Sequence, residues 1–349
     1  MKGTTILLDQ WQGAEAAALI RDGQLDDLLI DSDAPRPGTI YRARADRPVK
    51  GQGGMFLTTP DGSAFLRQVK GLKPGEPLLV QVSGHAEPGK AIPVTTRLLF
   101  KSRYAIVTPG APGLNVSRAI RDEDRRDALL AIAHDVLEGH PVLALDPPAG
   151  LILRSNCEEA EDEDVADDIL AMATLAVNVL ADLDGAPEKL VEGDGPHDLA
   201  WREWPVTEMV SEPGCFEEHE AEEMIAALYR AEVQLPGGGH MTIEPTRALV
   251  AVDVNTGGDT SPAAGLKANL AAARELPRQL RLRGLGGQII VDPAPMPKKD
   301  RRQFEGQLRA ALKGDPAETI LAGWTQLGLV ELQRQRTRAP LPAKGGKTR

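Results

Sequence analysis

The chain of 349 residues reads as a multidomain α/β protein. Three observations carry this. A strand–helix–strand pattern occupies Thr246 to Met296, a succession of short strand signals fills the stretch from Arg36 to Gly110, and helical stretches follow each of two apolar strand groups. The length suffices for two or three compact domains, and 42% hydrophobic with 26% charged residues is ordinary for a soluble globular chain.

In chain order, MKGTTILLDQ and DGQLDDLLID alternate as strands. IYRARA, GMFLTT, SAFLRQV, PLLVQVSGHA, IPVTTRLLF and YAIVTPG are then separated by Gly, Pro and Asp turns, which predicts a small antiparallel barrel. This stretch holds Tyr41, Phe56, Phe65, Phe100 and Tyr104, five of the twelve aromatics. Aromatics exposed on a basic barrel stack unpaired bases; the alternative is that Phe56 and Phe65 fill its core. GLNVSRAIRDEDRRDALLAIAHDVL predicts a loop and an amphipathic helix, followed by PVLALD and by GLILRS, which places Arg154 at a strand end. Eight acids in the eleven residues Glu158 to Asp168 predict a solvated, partly mobile face, and Asp168 to Leu183 has helical spacing.

In TRALVAVDVNTGG, Leu249 to Val252 form a short apolar strand ending at Asp253, and Asn255 to Gly258 form a turn. QIIVDPAPM gives a second strand ending at Asp292. Between them Leu266, Leu270, Ala273, Leu280 and Leu282 recur at roughly helical spacing, with Gly284, Gly286 and Gly287 as the stop and Pro277 as an expected interruption. A crossover of this kind makes the two strands parallel, so Asp253 and Asp292 are expected to face one crevice at the carboxyl edge of the sheet. Two carboxylates with the amide oxygen of Asn255 suit a hard cation such as magnesium, and hence metal-assisted phosphoryl transfer. Alternatively each Asp only ends a strand and caps the next turn.

The net charge of −11 conceals segregation. Arg36 to Arg121 holds 14 Lys/Arg against 4 Asp/Glu, and Arg274 to Arg349 holds 16 against 7, leaving the acids to the remainder. Two basic blocks of this kind are expected to form an electrostatic footprint for a phosphate backbone. Met1-Lys2 runs straight into a strand pattern and no apolar run approaches the ~20 residues of a membrane span, so a cytoplasmic protein without a membrane span is expected. Cys157 and Cys215 are too few for a disulfide framework or a four-ligand zinc site.

VDVNTGG, NLAAARELPRQLRLRGLGGQIIVD and GLVELQRQR (Gly328–Arg336) resemble the nuclease core of the ribonuclease E/G family of bacterial endoribonucleases. RQLRLRGLGG before an apolar strand and Asp is a much rarer string than any short nucleotide-binding motif. LPGGGHMTIEPTRAL (Leu235–Leu249) is similar to the hairpin that leads into that family's catalytic strand, and the N-terminal strands with GTIYRARA resemble its N-terminus. GLGG follows a helix and precedes a strand, the reverse of a dinucleotide fingerprint.

The resemblance implies a DNase-I-like α/β nuclease core at 245–338, RNase-H-like scaffold elements at 1–35 and, shortened, at 201–244, an inserted OB-fold barrel at 36–110, a 5′-sensor-like domain at 111–200 and a basic tail at 339–349. It implies a magnesium-dependent endoribonuclease, with manganese as a substitute, that cuts single-stranded RNA in RNA processing, including that of ribosomal RNA, or decay. Asp253, Asn255 and Asp292 would be catalytic, with Asp253 and Asp292 on the metal and a metal-activated water as nucleophile. Phe56 and Phe65 would stack on bases, Lys90 would contact RNA, and Arg154 with Ser155 would grip a 5′-monophosphate. Departures accompany the likeness. Arg247 stands where the family usually has a glutamate near the metal, Pro295 where it often has a second acid, and Glu318 where it has a second sensor arginine. The family's closing two-cysteine motif does not occur, so neither structural zinc nor a zinc-linked tetramer is expected. An RNA-binding paralogue with weak or lost turnover is the alternative function.

Overall fold

The computed structural model describes residues 3–49, 53–68, 71–87, 89–205, 207–261 and 263–343. It divides into two compact units, Met1–Ser32 with Thr207–Arg349, and Asp33–Val206.

In the unit Asp33–Val206, period-two alternation of apolar and polar residues closes a five-stranded barrel of OB-like type. Ile40–Val49, Gly54–Thr59, Gly62–Leu66, Ile92–Thr95 and Pro77–Val82 pair in that circular order, the last returning to the first. Tyr41, Met55, Leu57, Leu66, Val80 and Val94 fill the interior. The barrel ends at Thr95, earlier than the sequence suggested. Phe100–Lys101 and Ala105–Pro109 instead join Gly113–Val116 and Ala149–Leu153 in a separate four-stranded sheet, because Phe100, Ala105 and Val107 bury against the helices Glu123–Leu137 and Asp162–Ala181. The acidic run is also more ordered than expected. Asp162, Glu163 and Asp164 form the first turn of the second helix, where the helix dipole favours anions, and Asp168 accepts from Ser102 Oγ at 2.5 Å and Tyr104 N at 2.9 Å.

In the other unit, a meander Thr4–Trp11, Ala14–Arg21 and Gln24–Ile30 is completed by Glu208–Val210, which runs parallel to the first strand. A six-stranded sheet has the order Glu232–Gln234, His240–Pro245, Val250–Asn255, Gly287–Asp292, Val330–Arg334, Thr319–Trp324. It therefore begins at Glu232, inside the stretch that the sequence assigned to the scaffold. The crossover helix Ala264–Leu282 and the helix Arg301–Lys313 share one apolar core with Ile243, Val252, Val254, Ile289, Val291 and Leu332 of the sheet. Burial of Leu276 and Leu280 contributes roughly 1.5–3 kcal/mol each, and the intervening Ala residues keep the helix close to the strands. Pro277 does not interrupt the helix, which continues for five residues beyond it. Its ring lies buried on the packed face.

Candidate functional site

Val250–Asn255 and Gly287–Asp292 are parallel, with Val250 opposite Ile289, Val252 opposite Val291 and Asp253 opposite Asp292. Because Val252, Val254 and Val291 point into the core, Asp253 and Asp292 project together from the opposite face, and both are exposed. Asn255, two residues on and therefore on the same face, donates from Nδ2 to Asp253 Oδ2 at 2.7 Å. That bond fixes the carboxylate and leaves the amide oxygen of Asn255 free to accept or ligate. Thr242 is in register with Asp253, and His240 with Asn255, so an imidazole shares the face as well.

The loop after Asp292 is held from below. Asn269, fully buried in the crossover helix, accepts from Ala294 N at 2.9 Å and donates to Ala294 O at 2.8 Å. Gly265 sits so close to this loop that a Cβ there would lie 1.9 Å from Pro295 O. On the other side, the hairpin turn Gly237–Gly239 packs backbone to backbone on the turn after Asn255. A Cβ on Gly257 would meet Gly238 O at 2.2 Å, and one on Gly239 would meet Asn255 O at 2.7 Å. A cavity of about 400 Å³ next to this contact is lined by Gly237, Thr256, Asp259, Lys267, Ala271 and Arg274. Asn269 was missed because an Asn between Ala268 and Leu270 reads as one more polar interruption. Its signal was its place on the apolar stripe.

One expectation about this site changes. Arg247 lies in the turn before Val250, where Thr246 N donates to Leu249 O at 2.8 Å, so it sits beyond the end of the strand opposite the carboxylates, and the strand from Val250 to Asp253 alone separates the two by about 10 Å. It is not beside a metal held by Asp253. Pro295, by contrast, does follow Asp292 on the same loop. Among the described residues no group of three or more His, Cys, Asp or Glu side chains could hold a metal ion. The donor set of two exposed carboxylates and one amide still fits magnesium, which keeps several waters and takes only one or two carboxylates from a protein.

On the barrel, Phe56 and Phe65 are register partners that alternate with the core residues Met55, Leu57, Ala64 and Leu66, so both rings lie outside the core. Their centroids are 5.4 Å apart at an interplanar angle of 51°. The Arg47 guanidinium lies 5.2 Å from the Phe56 centroid, a contact that sequence spacing did not disclose. Gly54 leaves room for the second ring, since a Cβ there would lie 2.4 Å from Phe65 Cζ. Lys90 is exposed and pairs with Glu87 at 2.5 Å. Of the other barrel aromatics named by the sequence, Tyr41 is buried and donates to Asp61 at 2.6 Å, while Phe100 belongs to the neighbouring sheet.

Arg154 spends its donors inside its own domain. It bonds the carbonyls of Ser102 at 2.5 Å, Arg103 at 3.3 Å and Arg202 at 3.1 Å, and its Nη2 lies 2.7 Å from Glu203 Oε2. A guanidinium so engaged ties a strand end to a helix end, a role that the sequence did not disclose. Ser155 is exposed in the following turn. Glu318 falls in the other unit and accepts from Gln335 Nε2 at 2.5 Å. Burial alone would raise the Glu203 carboxyl, but the bond to Lys101 and the charges of Lys101, Arg154 and Arg202 overcome it and hold it at about 2.

The second basic block is partly consumed in the same way. Arg281 and Arg334 both pair with Asp315, whose side chain is 1% exposed, and Arg283 bonds the carbonyls of Leu228 at 2.6 Å and Arg230 at 3.1 Å. Burial pushes Arg283 down to about 10. RQLRLRGLGG thus carries structural arginines, and the expected footprint shrinks to exposed residues such as Arg274, Lys298, Lys299 and Arg302. Burial likewise pushes both free thiols, Cys157 and Cys215, up to about 11. Among the described residues no helix is long and apolar enough to cross a membrane.

Comparison with known proteins agrees with this architecture. The family model described as Ribonuclease E/G family matches residues 100–211 and 200–337. The chain is 28% identical to Ribonuclease E of Synechocystis sp. over 92% of its own length and 55% of that protein's, so it spans about half of that relative. It is also 28% identical to Ribonuclease G of Escherichia coli K12, over 92% of this chain and 77% of that one, and to Ribonuclease E of the same strain over 76% and 28%. The matched residues include both carboxylate strands and the helix that joins them, and on this coverage the chain belongs to the ribonuclease E/G family.

Proposed function

We propose that the chain is an endoribonuclease that cuts single-stranded RNA, with a DNase-I-like core as its nuclease part and an RNase-H-like scaffold around the N-terminal meander. The observation that carries this is the register of Asp253 with Asp292 on one open sheet face, with Asn255 bonded to the first carboxylate. In this reading Asp253 and Asp292 hold one divalent cation, magnesium or manganese, and Asn255 keeps the Asp253 carboxylate aimed at it. When bound, such a cation activates an attacking water and neutralises charge on the scissile phosphate. His240 and Thr242 supply hydrogen-bonding groups on the same face for the phosphate or its water. In-line attack on phosphorus with departure of the ribose 3′ oxygen leaves a 5′-phosphate on the downstream fragment.

The outer aromatic pair of the barrel supports the single-strand preference. Phe56, with Arg47 beside its ring, and Phe65 present two flat surfaces, with Lys90 exposed on the same domain, and unpaired bases offer faces that a duplex hides. Incubation of a fluorescent 5′-monophosphorylated single-stranded RNA with magnesium should give discrete internal cuts that EDTA suppresses. Tight binding without cuts in any divalent cation would favour the second reading, an RNA-binding paralogue. Only Pro295, on the loop after Asp292, still favours that reading.

A further inference from the structure

Arg103 is 5% exposed, yet among the described residues its Nε and Nη2 have no hydrogen-bond partner. Its guanidinium carbon lies 4.0 Å from the ring centroid of Trp201 and 5.9 Å from that of Tyr104. Trp201 itself is 50% exposed, on the outer side of the helix Pro196–Glu203, whose buried residues are Pro196 and Ala200. Stability does not explain this pairing. A cation–π contact returns less than two unmade hydrogen bonds of a buried charged group cost, and half of a large apolar side chain is left in water. What the pairing does achieve is to fix the plane of the indole from one side while half its surface stays open.

The surroundings are mixed in charge but bases lead. Lys101, Arg154 and Arg202 lie in the ion-pair cluster around Glu203, with Asp194 paired to Arg202 and Asp198 one helical turn before Trp201. With Arg103 the bases number four against three acids. A flat ligand carrying negative charge beside its ring fits such a surface, and a nucleotide is that kind of ligand. We propose that Trp201 is a stacking platform for an unpaired base of single-stranded RNA, held in plane by Arg103. It would be a second aromatic contact in the unit Asp33–Val206, separate from the Phe56 and Phe65 pair. This inference rests on the reading of the chain as an RNA-binding nuclease.

The test uses the full chain, without divalent cation, titrated with a 12-nucleotide oligouridine while intrinsic tryptophan fluorescence and affinity are followed. Trp201→Leu keeps apolar bulk on an exposed helix face and leaves the fold intact, which circular dichroism checks. Base stacking predicts a loss of affinity of roughly fivefold or more in Trp201→Leu, near-parent affinity in Trp201→Phe, and loss of most of the saturating fluorescence quench in both. A blunt RNA duplex of the same length should leave the fluorescence unchanged. If Trp201→Leu binds oligouridine like the parent with the same quench, while Phe56→Ala weakens binding, the platform is wrong and RNA binding stands. If the unaltered protein binds no oligouridine at all, both the platform and the RNA-binding reading fall.

Discussion

Asn269 closes two hydrogen bonds on the backbone of Ala294, and Ala294 lies two residues beyond Asp292. The crossover helix therefore does more than connect the two carboxylate strands: its buried amide sets the direction in which the chain leaves the second one. Replacing Asn269 by Ala leaves a buried N–H and C=O without partners, at about 1–3 kcal/mol each. The expected result is a melting temperature lowered by several degrees together with weaker magnesium dependence of cleavage. Asn269→Ala with unchanged melting and unchanged magnesium titration would show that the loop is held by other contacts.

Much of this was legible in the sequence, and the reasons are physical. Apolar runs ending in Asp253 and Asp292, with a helical period between them, permit almost only a parallel pair, whereas the register that sets Asp253 opposite Asp292 depends on the packing of the helix and is read from the structure. The barrel's existence was legible from its turns, but its end was not. Phe100 and Ala105 look like barrel residues until the helices that bury them are placed. Charge was the least legible. Sequence spacing cannot distinguish Arg281, paired with a buried Asp315, from an arginine that meets a phosphate, and the same holds for Arg154 beside Glu203.

The barrel prediction is now sharper than the sequence allowed. Since Phe56 and Phe65 lie outside the core, Phe56→Ala and Phe65→Ala should each weaken binding of single-stranded RNA by roughly 1–3 kcal/mol, with melting temperatures within about 2 °C of the parent. Gly54→Ala should mimic Phe65→Ala, because its Cβ occupies the space of the Phe65 ring. A large drop in melting temperature with normal affinity in the remaining folded protein would return these rings to a structural role.

For the 5′ end, the engagement of Arg154 with three carbonyls and Glu203 predicts little discrimination. Initial cleavage rates on 5′-monophosphate and 5′-hydroxyl RNA should differ by less than about tenfold, or ~1.4 kcal/mol. Arg154→Ala should instead lower the melting temperature, since it strands acceptors and unbalances a partly buried carboxylate. A strong monophosphate preference that vanishes in Arg154→Ala would restore the sensor.

Glu203 gives a pH signature. Its carboxyl is held at about 2 in the folded chain, below the ~4.3 of an unfolded glutamate, so the folded state binds this proton less readily. The pairing therefore stabilises the fold fully above that unfolded value, and its contribution is lost as the pH falls from ~4.3 toward about 2. Lys101, lowered by burial, acts on the alkaline side, outside this window. Glu203→Gln should melt lower than the parent at pH 7, and the gap should narrow as the pH drops through that window. A gap independent of pH would mean that the ion pairs contribute nothing beyond packing.

The most direct test of the account is single-turnover cleavage of a fluorescent single-stranded RNA by the parent, Asp253→Asn and Asp292→Asn across a magnesium titration, with binding measured on the same preparations. If the two carboxylates share one cation, each variant loses magnesium-dependent cleavage while its RNA affinity stays within a few-fold of the parent. Cleavage by both variants at the parent's rate, with the parent's magnesium dependence, would contradict the assignment of Asp253 and Asp292 as the metal site.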